Sequence, residues 1–124
     1  MCIRDRLTTG TLLDNGMVLI AGGANTDLVL GSAELYNPAS GTFTLTGNLN
    51  TERGYHAARL LNTGMVLIAG GETFSGSSVV ALASVELYDP AHGTFTAIGN
   101  MNAARVDPTA TLLNNGTCLL YTSR

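Results

Sequence analysis

Few side chains in this 124-residue chain could do chemistry, and its two histidines are the first to consider. Metal sites need several Cys, His or acidic ligands at short, regular spacings. His56 and His92 each lack a Cys or His at such a spacing, so the sequence predicts no metal centre at either. It also lacks the patterns of a nucleophile triad, of paired catalytic carboxylates with a defined partner and of an EF-hand loop. His92 is expected to be a solvated turn residue.

Two glycine pairs, Gly22-Gly23 and Gly70-Gly71, could instead suggest a phosphate-binding loop. Such a loop places its backbone amides at the start of a helix and carries a wider glycine pattern. Neither pair has the following helix or the further glycines. The pairs therefore predict close packing of backbone against backbone, and no cofactor is predicted for this chain.

An internal repeat covers nearly all of the remaining sequence. The block at 17–23 recurs unchanged 48 residues later, and the block at 34–44 recurs closely 52 residues later. The four-residue difference lies in the segment between the two blocks, and a third copy begins at Thr109. Periods near 50 residues indicate stacked supersecondary units.

Each unit has the pattern of four short antiparallel strands. A first strand ends in an Asn- and Gly-containing turn at 14–16 or 62–64, which is a hairpin signal. The segment 17–21 is continuously apolar, which predicts a second strand buried on both faces. The third and fourth strands are predicted over 32–36, 42–46, 84–88 and 94–98. Four antiparallel strands in about 50 residues are typical of one propeller blade.

These spaced features resemble the kelch repeat in its prokaryotic style. The apolar strand that ends in two glycines resembles the double-glycine block of that family. Each unit also has a tyrosine, a phenylalanine where many members carry tryptophan, and an arginine before the innermost strand: Tyr36, Phe43 and Arg53, then Tyr88, Phe95 and Arg105. The once-per-repeat aromatic residues are expected to pack between blades.

The resemblance implies an all-β fold, a kelch-type β-propeller fragment with four-stranded antiparallel blades. Blade 1 is expected over 7–53, blade 2 over 54–105 and the start of blade 3 over 106–117. In that family the first strand of each blade lines a central channel. His56 and Arg59 are therefore the candidate binding residues, with a partly exposed strand end as the alternative. The loops at 24–31 and 72–82 differ in length. They are either exposed recognition loops or loops whose sequences have drifted without a function.

The two ends, 1–6 and 118–124, are interpreted as scars of a sequencing adapter. Back-translation of the first end gives a DNA word whose reverse complement encodes Cys118 to Thr122, and that word resembles the mosaic-end adapter of transposase-based libraries. The chain is therefore expected to be a metagenomic fragment without its true termini, so the absence of a signal peptide from it is uninformative. Both cysteines, Cys2 and Cys118, fall in these ends, so they indicate nothing about disulfides or redox compartment.

Composition narrows the classes of partner. A formal net charge of −3 and an isoelectric point near 5.1 predict no nucleic-acid surface. No apolar run approaches the ~18 residues of a membrane-spanning helix. Only 12% of residues are charged and lysine is absent, which favours an extracellular or cell-surface setting. Two blades and a fraction would leave apolar faces uncovered, so the chain is not expected to be a well-behaved monomer.

Two functions remain open at this point. The favoured one is a non-enzymatic binding or scaffold module of a larger multi-blade protein. Its partners would be the remaining blades of the parent chain and an unknown protein or carbohydrate ligand. The alternative is the propeller portion of a copper oxidase resembling galactose oxidase, whose site needs tyrosine, histidine and a cysteine cross-linked to tyrosine. Residues 7–117 contain no cysteine, so those ligands would lie on other blades.

Overall fold

Short apolar runs separated by Gly, Asn and Pro turns form strands throughout the part of the chain that the structure describes. The computed structural model describes residues 9–24, 29–106, 108–112 and 118–122. In chain order the strands are β1 (Thr9–Leu12), β2 (Val18–Ala21), β3 (Ala33–Asn37), β4 (Thr42–Leu45), β5 (Ala57–Leu60), β6 (Val66–Ala69), β7 (Glu72–Ser75), β8 (Ser78–Ala81), β9 (Ser84–Asp89), β10 (Thr94–Asn100), β11 (Pro108–Leu112) and β12 (Cys118–Thr122).

Two four-stranded antiparallel sheets follow one another along the chain. The first blade is the sheet β1-β2-β3-β4, and the second blade is the sheet β5-β6-β9-β10. Their registers correspond: Tyr36 lies opposite Phe43 in the first blade, as Tyr88 lies opposite Phe95 in the second. The predicted all-β fold with four-stranded antiparallel blades is confirmed.

Glycine turns set the register of the first hairpin in each blade. Leu13 N–H donates to Met17 O at 2.8 Å, and Leu61 N–H donates to Met65 O at the same distance. Gly16 has a φ of 87°, in the left-handed region that a residue without a Cβ adopts at little cost. The equivalent turns therefore start both blades in the same register.

The first strands of successive units lie side by side. β5 contacts β1 on one side and β11 on the other. β11 pairs antiparallel with β12, so residues 118–122, interpreted above as adapter-derived, supply a partner for the opening strand of the third unit. The division of the chain into units and scars stays a prediction, and residues 113–117 lie outside the described residues.

The segment 72–82 is more ordered than a plain loop. It contains the hairpin β7–β8, in which Phe74 lies opposite Val79. Gly76, with a φ of 65°, makes the turn. Among the described residues of the first blade, Ala24 and Val29 form an isolated bridge at the corresponding place. The interpretation of 72–82 as a plain loop did not foresee the hairpin of the second copy.

Most of the core lies between the two blades. One cluster joins both blades and includes Leu19 and Ala33 from the first with Ile68 and Tyr88 from the second. A second cluster, around Leu67, Ala69 and Val85, lies on the opposite face of the second blade. β6 is buried along its whole length, as predicted for a continuously apolar strand, because it has neighbours on both faces. The identical β2 alternates between buried and partly exposed residues, so the prediction is wrong for that copy.

Candidate functional site

The segment between the blades carries Arg53, a buried residue with hydrogen bonds to both blades. Its backbone belongs to the first blade: Arg53 N–H donates to Leu30 O at 3.2 Å, and Arg53 O accepts from Gly23 N–H at 2.9 Å. A Cβ added at Gly22 would lie 2.6 Å from Arg53 O, closer than any side chain can approach. The glycine pair therefore packs against the arginine backbone, as expected for close backbone approach.

The guanidinium of Arg53 reaches into the second blade. It donates to Gly70 O at 2.8 Å and to Ser84 O and Ser84 Oγ at 3.0 and 2.9 Å. Arg53 Nη2 also donates to Glu86 Oε2 at 2.9 Å, and the two charged side chains are 0% and 1% exposed. A single residue thus connects the backbone of one blade to the side chains and carbonyls of the next.

Glu86 completes this polar network from the second blade. Its Oε1 accepts from Asn50 N–H at 2.8 Å, and its Oε2 accepts from Thr51 N–H at 3.0 Å as well as from Arg53. Burial lowers the pKa of Arg53, while the charge and the hydrogen bond of Glu86 act in the opposite direction. Since an arginine stays protonated in proteins, the pair is a buried, fully hydrogen-bonded ion pair. We call residues 50–53 together with Glu86 the inter-blade latch.

The aromatic repeat residues pack differently in the two blades. Tyr88 and Phe95 have ring centroids 4.7 Å apart and are 0% and 8% exposed. The Tyr88 hydroxyl is hydrogen-bonded to Thr46 Oγ1 of the first blade at 2.8 Å. Tyr36 and Phe43 keep the same 4.7 Å contact, but Phe43 is 43% exposed. The pair therefore packs between blades only where a preceding blade is present.

His56 is buried just before β5, with its Nε2 hydrogen-bonded to Thr9 Oγ1 at 2.8 Å. Its Nδ1 is buried without a hydrogen-bond partner. Burial, followed by the positive charge of Arg53, lowers the pKa of His56 to about 4, while the nearby backbone of Ala21 acts in the opposite direction. His56 is therefore a neutral residue of the packed interface at pH 7.

Two other sequence candidates, Arg59 and His92, are exposed, unlike His56. Arg59 is exposed on β5, so the predicted pair of channel-lining residues does not form one open surface. His92 is exposed in the turn after β9, where its Nδ1 lies 2.7 Å from Asp89 Oδ2. This hydrogen bond, with that of the Ala91 N–H, lowers the pKa of Asp89. Arg105 repeats the backbone contacts of Arg53, with its carbonyl accepting from Gly71 N–H at 2.7 Å.

No family model and no curated protein matches this chain. Among solved structures it is similar to a fungal alcohol oxidase, described as having catalytic diversity among the AA5 family and solved in complex with copper. The TM-score is 0.80 at 20% identity, and the match covers 95% of this chain but 27% of the oxidase. The fold is β-propeller-like. The chain thus corresponds to about a quarter of the length of that oxidase.

The sequence reasoning missed Glu86 and the latch. A signal was present, because one glutamate stands between apolar neighbours in each copy of the third strand, at Glu34 and Glu86. Carboxylates inside a buried strand require a partner, and arginine is the residue suited to a buried ion pair. The arginine that recurs once per repeat was the available partner.

Among the described residues there is no group of three His, Cys, Asp or Glu side chains that could hold a metal ion. The described part of the chain also contains no helix long and apolar enough to cross a membrane.

Proposed function

We propose that this chain supplies blades to a propeller like that of the galactose-oxidase-like copper oxidases, where it acts as scaffold. The observation that carries the proposal is the 0.80 TM-score over 95% of the chain. The inter-blade latch supports it, since Arg53 and Glu86 hold the position of one blade against the next. On the same proposal the repeats are kelch repeats, with the glycine pair and the arginine in structural roles.

The donor set of the described residues does not fit a copper ion. His56 is hydrogen-bonded through Nε2 to a threonine. Its ring also packs against the glycine backbone, since a Cβ added at Gly22 would lie 2.9 Å from His56 Cε1. No cluster of three ligating side chains occurs in the described ranges. In this proposal the reactive groups belong to other parts of the parent protein.

The test is to extend the encoding reading frame in its source DNA. We expect further repeats of about 50 residues, each with an arginine and a strand glutamate at the spacing of Arg53 and Glu86. We also expect tyrosine and histidine residues able to form a copper site elsewhere in the frame. Further blades without such a ligand set would refute the oxidase assignment, and a flanking sequence without repeats would refute the propeller assignment as well.

A second measurement uses the chain itself. Electron paramagnetic resonance of the chain titrated with Cu(II) should show no tight, stoichiometric site that depends on His56. A one-to-one copper signal that disappears in His56→Gln would contradict the scaffold role.

A binding module is the second candidate function, and the exposed hairpin β7–β8 favours it. All four residues of β8 are exposed, and Val79 and Val80 are 57% and 40% exposed. The base of the hairpin is held firmly, because Glu72 and Gly54 exchange two backbone hydrogen bonds of 2.9 and 3.0 Å. An exposed strand with two adjacent valines on a fixed base suits recognition of a protein or carbohydrate ligand.

Arrays of immobilised polysaccharides and of extracellular proteins would test this candidate. If the hairpin recognises a ligand, Val79→Ser combined with Val80→Ser should abolish the signal. Leu45→Ser, at a 72% exposed site outside the hairpin, should leave it unchanged. An equal effect of both changes, or no signal for the unaltered chain, would contradict the candidate.

A further inference from the structure

One face of the first blade has the same residue pattern as a covered face of the second blade. Cross-strand pairing places these side chains on common faces, since Leu12, Val18, Tyr36 and Phe43 lie opposite one another in turn. Leu60, Val66, Tyr88 and Phe95 form the equivalent row of the second blade. We call the two surfaces the open face (Leu12, Val18, Ile20, Glu34, Tyr36, Phe43 and Leu45) and the covered face (Leu60, Val66, Ile68, Glu86, Tyr88 and Phe95).

The two faces differ in what lies on them. Val66, Ile68 and Tyr88 of the covered face are all 0% exposed. On the open face Leu12 is 64% and Leu45 is 72% exposed. Phe43, next to Leu45 on this face, is 43% exposed, and exposed apolar residues that share one sheet face mark an interaction surface or a site of association.

The structure contains an example of the surface that fits such a face. The covered face is packed against the opposite side of the first blade, formed by Leu13, Leu19, Ala21, Ala33 and Leu49. The linker that follows Leu49 then delivers Arg53 to Glu86. The complementary surface is therefore a sheet of small and aliphatic residues with an arginine at its edge.

The second blade presents the same type of surface on its far side. We call this the cover face: Leu61, Leu67, Ala69, Val85, Leu87 and Met101. The edge of the cover face has the hydrogen bond that is equivalent to one in the first blade. Met101 N–H donates to Ala83 O, as Leu49 N–H donates to Gly31 O.

The arginine at this edge is held in the same way. Arg105 N–H donates to Leu82 O, as Arg53 N–H donates to Leu30 O. The backbone of Arg105 therefore has the same position at the edge of the cover face as the backbone of Arg53 has at the edge of the first blade.

We propose that the open face binds the cover face of a second copy of this chain. In the assembly, Arg105 of one copy lies beside Glu34 and Ser32 of the next, as Arg53 lies beside Glu86 and Ser84 within the chain. Arg105 exchanges its present contacts for these. The charges are complementary, and the geometry continues the inter-blade interface already present.

This contact competes with the β11–β12 hairpin. β11 lies against β5, and Leu67, Ala69 and Val85 of the cover face are 9%, 0% and 8% exposed within the chain, so a second copy has to displace the hairpin to reach this face. A second copy brings four strands and a strand glutamate, whereas the hairpin brings two strands. The head-to-tail contact is heterologous, and it closes when the blades complete a ring. Propellers close with about four to eight blades, so about two to four copies are expected in a closed assembly.

Sedimentation velocity on the full chain, from low to high micromolar concentration, tests the proposal. The unaltered chain should form a discrete species of about two to four times the 12.8 kDa monomer mass. Glu34→Arg and Arg105→Glu should each be monomeric, because each places like charges together. The double variant, and a mixture of the two single variants, should assemble again because both restore opposite charges. A monomeric unaltered chain, or single variants that assemble as well as it does, would overturn the proposal.

Far-ultraviolet circular dichroism shows whether Arg105→Glu folds. A second pair of variants tests the proposal if it does not. Leu45→Glu changes a 72% exposed residue of the open face, and Val79→Glu changes a 57% exposed residue of the hairpin. We expect Leu45→Glu to weaken self-association at least about tenfold, because it places a charge in an apolar contact. Val79→Glu should leave association unchanged. Equal behaviour of the two variants would contradict the proposed surface.

Discussion

The first and second blades have nearly the same residues in the same registers, yet only one of them has a covered face. The Tyr–Phe contact is 4.7 Å in both blades, so cross-strand pairing determines it locally. Burial does not follow from that pairing, because Tyr88 is 0% exposed whereas Phe43 of the other pair is 43% exposed. The local geometry of a repeat is therefore encoded within the unit, while its contribution to stability depends on contact with the neighbouring unit.

The largest difference between the blades is expected at the strand glutamates. Glu86→Ala should lower the free energy of unfolding by about 3–5 kcal/mol, because it leaves the guanidinium of Arg53 buried without its counter-ion. Glu34→Ala, on the open face, should cost less than about 1 kcal/mol at protein concentrations where the chain is monomeric. Urea denaturation of both variants measures the two changes. Equal losses of unfolding free energy would mean that the buried glutamate of the latch stabilises the chain no more than the glutamate of the open face.

A double variant sharpens the same prediction. Replacing the latch by apolar residues, with Arg53→Met and Glu86→Leu together, removes both buried charges. We expect this chain to recover most of the stability lost in Glu86→Ala, since well-packed apolar residues often replace a buried ion pair without loss. A double variant as unstable as Glu86→Ala would show that the amide contacts of Glu86 with Asn50 and Thr51 matter more than its charge.

The stability of the contact between the two blades should depend on pH through His56, which lies just before β5 and is hydrogen-bonded to Thr9 of β1. The pKa of His56 is about 4 in the folded chain, against roughly 6.5 in an unfolded chain. Because the unfolded state binds the proton more tightly, this stability is complete above pH 6.5 and is lost as the pH falls to about 4. The loss amounts to roughly 3 kcal/mol over that range.

His56→Gln isolates this effect from the titration of carboxylates. Chemical denaturation of both proteins between pH 7 and pH 4 gives two stability curves. Their difference should change across this window, because only the unaltered chain binds the additional proton on unfolding. Parallel curves would show that His56 is not held in its neutral form between the blades.

The sequence was sufficient for the features that depend on local pattern. Asn-Gly turns, apolar runs and the repeat itself predicted the strand pairs of both blades, because hairpin register depends on neighbouring residues. The hairpin β7–β8 was missed because its sequence has no counterpart in the first copy, so the repeat gave no signal for it. The Arg53–Glu86 pair was missed because its members are 33 residues apart and meet only when blades stack. The same non-local packing explains why His56 is buried rather than open to a channel.

The smallest difference expected between the blades concerns one hydroxyl group. Tyr88→Phe removes the hydrogen bond to Thr46 Oγ1 while it keeps the ring contact with Phe95. We expect a loss of about 1 kcal/mol, the usual net value of one hydrogen bond, and somewhat more if Thr46 is left unsatisfied. At concentrations where the chain is monomeric, Tyr36→Phe should change stability by less than about 0.5 kcal/mol, because no blade then lies on the open face. Urea denaturation with unchanged slopes would make the two values comparable. A loss in Tyr36→Phe as large as that in Tyr88→Phe would mean that the tyrosine hydroxyl acts within its own blade, and that the contact between blades is not the source of the difference.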